Sequence, residues 1–111
     1  MSVNDNLLVT LKSFSAVIDE MKKGKLQKQA ARLEKILNLF DGLRGNNEDA
    51  IRMKIKSKYY LTELEFLKSS ICDVRGLKDL CPDQLSYEEW RGLLSALEDD
   101  FCRFEKSLSS S

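Results

Sequence analysis

The residue types that most often carry out chemistry in proteins are scarce in this chain. Its 111 residues include no histidine and only three cysteines, Cys72, Cys81 and Cys102. The cysteines lack CxxC spacing, and there is no histidine to complete a tetrahedral zinc site. We therefore expect reduced thiols that serve as small apolar packing groups, with a Cys81–Cys102 disulfide as the open alternative.

Carboxylates are the remaining candidates for acid–base chemistry. Glu88 and Glu89 are consecutive acidic residues, as are residues 98–100, and both groups lie beside an apolar helix stripe. A general base near neutral pH needs a strongly shifted pKa, and no two carboxylates share an apolar helix face. Nucleophile-elbow, phosphate-loop and EF-hand motifs are also missing from the sequence. The pattern predicts a solvated acidic face and a protein that is not an enzyme, with no catalytic, metal or cofactor site and no small-molecule substrate.

Charge is distributed unevenly along the chain, although 18 basic residues balance 18 acidic ones. Residues 22–58 contain eleven basic and four acidic residues, a balance of +7, whereas residues 76–111 contain four basic and eight acidic ones, a balance of −4. The basic stretch is either a groove for nucleic-acid phosphates or the solvent side of helices that pair with the acidic end. The neutral total charge and a pI near 6.3 favour the second interpretation.

The elements that must position these side chains are helices. Apolar residues recur at alternating spacings of four and three in four segments, and the chain has one proline and five glycines. We predict an all-α protein, an antiparallel four-helix bundle of up-down-up-down order, because this order suits short connections. The predicted helices cover residues 5–23, 26–42, 47–75 and 86–108, with a short helical turn at 77–81.

Local signals mark several helix ends. Gly24 follows the basic last turn of the first helix, which predicts a left-handed cap at that glycine. Ser86 and Glu89 have the spacing of a capping box, and Leu85 and Trp90 are placed for a hydrophobic staple. We therefore assign Trp90 to the core.

The third predicted helix is the longest, at about 28 residues and on the order of 40 Å. Its apolar stripe begins at Met53 and continues to Val74, interrupted only by Ser57. Because the first two helices are shorter, one end of the third helix should project from the bundle or be covered by the last segment.

The chain also has more large apolar side chains than its stripes require. Burial by neighbouring helices explains part of the surplus, and a patch that docks a partner helix or a second copy would explain the rest. The surplus comprises Leu39, Tyr59, Leu61, Phe66 and Phe101 or Phe104. The residues that we predict to contact a partner are Arg52, Lys56, Tyr59, Tyr60 and Phe66.

These observations bound the function. The length predicts one domain, either the whole protein or the N-terminal domain of a longer one. Charges interrupt every apolar run well below the roughly 18 residues that span a bilayer, and Asp5 stands where a secretory signal carries positive charge. We expect an intracellular protein of the cytoplasm or nucleus. It would be an interaction module, adaptor or small subunit that docks partners through its third and fourth helices; the alternative is a nucleic-acid-binding accessory domain that uses the basic stretch.

Overall fold

The computed structural model describes residues 3–72 and 80–109, and every regular element within these ranges is an α-helix. The predicted all-helical bundle is therefore confirmed, and the first, second and fourth predicted helices are correct to within two residues at each end. The five helices are α1 (Val3–Lys23), α2 (Gln27–Asp41), α3 (Glu48–Ile55), α4 (Lys58–Cys72) and α5 (Tyr87–Ser109).

Helix α1 is the centre of the bundle and packs mainly against α5 and α2. Nine of its 21 residues are buried, including Leu7, Phe14 and Met21 at successive seven-residue steps.

Near the end of α1, the backbone carbonyl of Glu20 accepts a 2.8 Å hydrogen bond from Gln84, which precedes α5. Thr10, in the first half of α1, donates a 3.0 Å hydrogen bond to the backbone carbonyl of Asp100, in the second half of α5. This order makes α1 and α5 antiparallel.

Helix α4 is the third long helix of the bundle and is antiparallel to α2. Phe40 at the end of α2 meets Tyr60 at the start of α4, with ring centroids 6.0 Å apart. Arg32, earlier in α2, forms a 3.2 Å ion pair with Glu63, further along α4. The four long helices α1, α2, α4 and α5 therefore have the predicted up-down-up-down order.

The start of α5 confirms the capping box. The backbone N–H of Ser86 donates to Glu89 Oε1 and the backbone N–H of Glu89 donates to Ser86 Oγ, each at 3.1 Å. Trp90, one residue further, has no exposed surface, and Leu85 packs against the same core. These reciprocal bonds satisfy two N–H groups that a helix start otherwise leaves without partners.

The single helix predicted for residues 47–75 is wrong, because the chain forms two helices there, α3 and α4. At the break, the backbone N–H and the hydroxyl of Ser57 both donate to the Lys54 carbonyl, at 3.1 and 2.7 Å. This tighter pattern ends the regular helical bonding of α3. Of the predicted elements, residues 73–75 and the turn at 77–81 up to residue 79 lie outside the described ranges.

The break has a physical reason in the apolar pattern. Helix α3 buries Ile51 and Ile55, whereas Met53, the expected start of the stripe, is 76% exposed. Ser57 follows at the position where the stripe has no apolar side chain. A straight helix would have nothing to bury at Ser57, so a change of direction lets α3 and α4 each bury their own apolar face.

The turn between α1 and α2 also differs from the prediction. Lys25, rather than Gly24, takes the left-handed conformation, with a φ of 66°. Gly24 is required for a different reason, because a Cβ added to it would lie only 2.5 Å from Pro82 Cβ. This glycine lets the α1–α2 turn touch the segment that leads into α5.

The cysteines differ in environment. Cys102 is exposed on α5, so its prediction as a core packing group is wrong. Cys81 is half-buried and its Sγ lies 3.5 Å from the Leu85 carbonyl oxygen. Both are free thiols, and the side chain of Cys72 lies outside the described part of the structure.

Candidate partner-binding surface

The five residues predicted to contact a partner do not form one patch. Arg52 and Lys56 belong to α3 and its final turn, and both line a groove beside α5. Tyr60 faces the core, while Tyr59 and Phe66 are exposed elsewhere on α4. The structure therefore separates the predicted set into a groove, a core residue and an aromatic surface.

Arg52 is used mainly within the fold. Its Nε donates a 3.2 Å hydrogen bond to the Leu108 carbonyl, and its Nη2 lies 3.5 Å from the Ser107 carbonyl oxygen. Its guanidinium also pairs with Glu48 and Asp49 at 3.8 and 3.6 Å. A cation at the last carbonyls of α5 satisfies acceptors that the helix leaves open and complements the helix dipole.

Tyr60 packs α4 against the end of α2. Its ring packs edge-on against Phe40, and its hydroxyl lies 3.5 Å from the Leu39 carbonyl oxygen. Phe40 in turn meets Phe101 of α5 at 6.3 Å, so this aromatic contact reaches across three helices. We assign Tyr60 to stabilisation of the bundle.

Tyr59 and Phe66 form the aromatic surface on the α2 side of α4. Tyr59 is 65% exposed and touches Tyr60 edge-on. Phe66 is 39% exposed, and the guanidinium of Arg32 lies 4.4 Å from its ring centroid in cation–π geometry. Arg32 also holds both carboxylate oxygens of Glu63, at 3.4 and 3.2 Å. The fold thus already covers part of this surface.

The other side of α4 forms an open groove of about 560 Å³, which we name the α4 groove. Helices α3 and α4 and the end of α5 enclose it, and Leu61, 45% exposed, is its most accessible apolar residue. Sequence reasoning placed Leu61 in the apolar surplus but not among the contact residues, because the split between α3 and α4 creates the groove. Its apolar lining residues are Ile55, Leu61, Leu64 and Leu108, and its charged ones are Arg52, Lys56, Glu65, Lys68 and Glu105.

Charge is distributed unevenly around the α4 groove. Lys68 and Glu105 form a 2.6 Å ion pair that joins α4 to α5 along one side. Near the break between α3 and α4, the exposed residues Lys54, Lys56 and Lys58 follow one another at every second position. Of these three lysines, Lys56 lines the groove together with the carboxylates of Glu65 and Glu105, so charges of both signs border its apolar floor.

A second groove of similar volume, about 570 Å³, lies between α1 and α5 at the opposite end of the bundle. Ala16 contributes a small side chain to it and Gly92 contributes backbone, while Asp19, Glu20 and Glu89 contribute carboxylates. Two of these carboxylates have structural partners, since Glu20 accepts from Gln84 at 2.8 Å and Glu89 caps α5. Hydrogen bonds from Ser86 lower the pKa of Glu89, and the bond from the Ser86 backbone contributes more than the bond from its side chain.

Ion pairs take up part of the basic stretch between Lys22 and Lys58. Each pair places a carboxylate beside a cation, which leaves fewer unpaired cations along this stretch. The pairs are Lys22–Glu34 at 2.9 Å, Lys23–Glu20 at 3.7 Å, Arg32–Glu63 at 3.2 Å, Arg44–Asp41 at 3.5 Å and those of Arg52 with Glu48 and Asp49.

Three further observations bear on function. Among the described residues, no group of three or more acidic or cysteine side chains is arranged to hold a metal ion. No helix in that part of the chain has the length and apolar character needed to cross a membrane. The chain matches no family model, and comparisons with curated proteins and with solved structures found no significant similarity.

Proposed function

We propose that this protein is a non-enzymatic protein–protein interaction module, an adaptor or small subunit of a larger intracellular assembly, which docks a partner helix in the α4 groove. The observation that carries the proposal is an open groove whose apolar floor includes the half-exposed Leu61. Covering the exposed apolar surface of a concave site with a complementary apolar surface removes both from water, which favours binding.

The shape of the α4 groove favours a helix as the bound element. Leu61, Leu64 and Lys68 follow the groove along α4 over seven residues, or about 10 Å. That length matches about two turns of a partner helix, whose apolar residues at i, i+3 or i+4 would face α4. The described part of the chain contains no strand edge that could pair with an extended peptide.

A nucleic-acid-binding accessory domain is the second candidate function. The exposed residues Lys54, Lys56 and Lys58 beside the exposed Tyr59 favour it, because cations and an aromatic ring suit phosphates and bases. The ion pairs within the basic stretch reduce the charge available for phosphates, so we place this candidate second. Binding to single-stranded and duplex oligonucleotides across a salt titration tests it, and steep loss of affinity with salt would support it.

Paired variants test helix docking. In Leu61→Asp, a carboxylate occupies the floor of the groove, whereas in Val9→Asp the same change is made on α1 at a residue of similar exposure, 37%. Partners captured by the wild-type chain and by Val9→Asp but lost from Leu61→Asp would support the proposal. Partners bound equally by all three proteins would overturn it. Sedimentation of the purified chain shows whether a second copy is the bound partner.

A further inference from the structure

The surface that α2 and α4 share combines cations with exposed aromatic rings. Helix α2 has three basic residues, Lys28, Arg32 and Lys35, at spacings of four and three, and all three are exposed. Residues at these spacings share one face of a helix. That face is turned towards α4, because the Arg32 guanidinium lies 4.4 Å from the ring centroid of Phe66. With Tyr59, two turns before Phe66 on the same side of α4, these residues form what we name the α2–α4 face.

The carboxylates of the two helices leave the α2–α4 face basic. Among the described residues, none of the four carboxylates on α2 and α4 pairs with Lys28 or Lys35. Two of them pair with cations elsewhere, one lines the α4 groove and one is held by Arg32; in that order they are Glu34 and Asp41, Glu65, and Glu63. The face therefore keeps two lysines whose charge these helices do not neutralise.

We infer that the α2–α4 face binds single-stranded nucleic acid. Such a strand is a polyanion that also presents flat, unpaired bases, so its phosphates lie against Lys28 and Lys35 while its bases stack on Tyr59 and Phe66. The inference rests on the second candidate function, to which it gives a location. It is independent of helix docking, because the α4 groove lies on the other side of α4.

The dimensions of the α2–α4 face fit a short stretch of strand. Lys28 and Lys35 are seven residues apart on α2, and Tyr59 and Phe66 are seven residues apart on α4, so each pair spans about 10 Å. Because α2 and α4 run side by side in opposite directions, the cations and the rings form two adjacent rows. This length corresponds to about three nucleotides at a rise of about 3.4 Å each.

Other polyanions would use only half of this surface. Duplex DNA keeps the faces of its bases stacked inside the double helix, and an acidic peptide offers carboxylates without bases. Either would contact Lys28 and Lys35 but would leave Tyr59 without a role. The contribution of Tyr59 therefore distinguishes a single strand from these alternatives.

Fluorescence anisotropy of the full chain with a labelled oligothymidine of about 12 nucleotides tests the inference at low salt and across a salt titration. We expect the single strand to bind about 10-fold more tightly than a duplex of the same length. Equal binding of the duplex would overturn the inference but not the second candidate function. Displacement by polyglutamate or by phosphatidylserine vesicles would assign the face to another anion and overturn it. No binding at low salt would overturn both the inference and the second candidate function.

An aromatic pair of variants tests stacking. We expect Tyr59→Ala to weaken oligothymidine binding about 10-fold, because a stacked base is lost. The matched control is Tyr87→Ala on α5, since Tyr87 is 53% exposed and Arg91 lies 5.7 Å from its ring centroid. Equal losses for the two variants, or no loss for Tyr59→Ala, would overturn the inference.

A lysine pair of variants tests the location of the phosphates. We expect Lys28→Ala combined with Lys35→Ala to reduce the slope of log affinity against log salt by about 1.4, because each phosphate contact with a single strand contributes about 0.7. The matched control is Lys54→Ala combined with Lys56→Ala, which removes two exposed lysines beside the α3–α4 break. A reduced slope in the control alone would place the strand at that break, and equal reductions would indicate a general charge effect. Either result would overturn the assignment to the α2–α4 face.

Discussion

The bundle consists of two regions that bury their apolar residues to different extents. The framework of α1, α2 and α5 surrounds a continuous core, and α1 alone buries nine residues. In the arm formed by α3 and α4, the buried residues among those described are Ile51, Ile55, Leu64 and Leu67. The arm also holds most of the exposed large apolar residues, Met53, Tyr59, Leu61 and Phe66.

The comparison shows that the same four-three spacing of apolar residues can produce a fully covered helix face in one region and a partly exposed one in another. Helix α1 lies between α5 and α2, so its stripe is covered on both sides. Helix α4 packs less extensively on α2 and α5, so residues beside its stripe remain accessible. A region with fewer buried apolar contacts is also less stable locally, and binding surfaces are often found in such regions.

Among truncations to alanine, the largest effect should come from removing Trp90, the largest fully buried side chain of the framework. Trp90 has no exposed surface, and we expect Trp90→Ala to lower the free energy of unfolding by about 3–5 kcal/mol. Phe66→Ala in the arm is the matched aromatic change, and we expect it to cost about 1 kcal/mol, mostly from its contact with Arg32. Chemical denaturation monitored by helical circular dichroism measures both, and equal losses would contradict the division into two regions.

A glycine pair tests close packing within the framework. We expect Gly24→Ala to lower the free energy of unfolding by about 1–3 kcal/mol, because its Cβ would collide with Pro82. Gly92 lies inside α5 with open space around it, so Gly92→Ala should raise the free energy of unfolding by about 0.5–1 kcal/mol. Thermal melts of the two variants should therefore move in opposite directions, and a neutral Gly24→Ala would refute the packing argument.

The start of α5 should show a smaller, pH-dependent effect. Ser86→Ala removes the cap and should cost about 1 kcal/mol. Since the pKa of folded Glu89 is lowered from 4.5, its carboxylate stabilises the fold above that pH, and this contribution disappears as the pH falls through the lowered folded value. Glu89→Gln should accordingly flatten the stability profile in the acid range. Unfolding measured from pH 6 to pH 2.5 would show an unchanged profile if the cap were unimportant.

The smallest change in the free energy of unfolding is expected for a substitution on the floor of the α4 groove. Leu61 is 45% exposed, and surface substitutions usually change the free energy of unfolding by about 0.5 kcal/mol or less. Leu61→Asp should therefore fold normally, whereas Leu94→Asp, at a position 1% exposed, should prevent stable folding. Circular dichroism and thermal melting of both variants measure this difference in stability, and an unfolded Leu61→Asp protein would contradict the placement of Leu61 at the surface.

Much of the framework could be predicted from local signals. The capping box of Ser86 and Glu89 involves residues three positions apart, so its geometry depends on little beyond the sequence itself. The arm was harder to predict, because an interrupted stripe at Ser57 is compatible with either a straight or a broken helix. Which of the two forms depends on whether α2 and α5 can cover Tyr60, Leu64 and Leu67 together.

The candidate site shows the same limit. Arg52 is recognisable as a surface cation from the sequence, but its use as a cap for α5 depends on Leu108 lying beside it, 56 residues away. Leu61 is likewise recognisable from the sequence as an apolar residue outside the stripe, but its place in a groove depends on α3 and the end of α5 lying beside α4.

Local signals in the amino-acid sequence are enough to predict that this chain is helical, where most of its helices begin and end, and which stripes form the core, because caps and apolar periodicity act over a few residues. The separation of α3 from α4, the contacts of Arg52 and Tyr60 within the fold, and the place of Leu61 in an open groove depend on how distant helices pack. The physical reason is that apolar periodicity specifies which side chains favour burial, whereas the packing of distant helices decides which of them are covered.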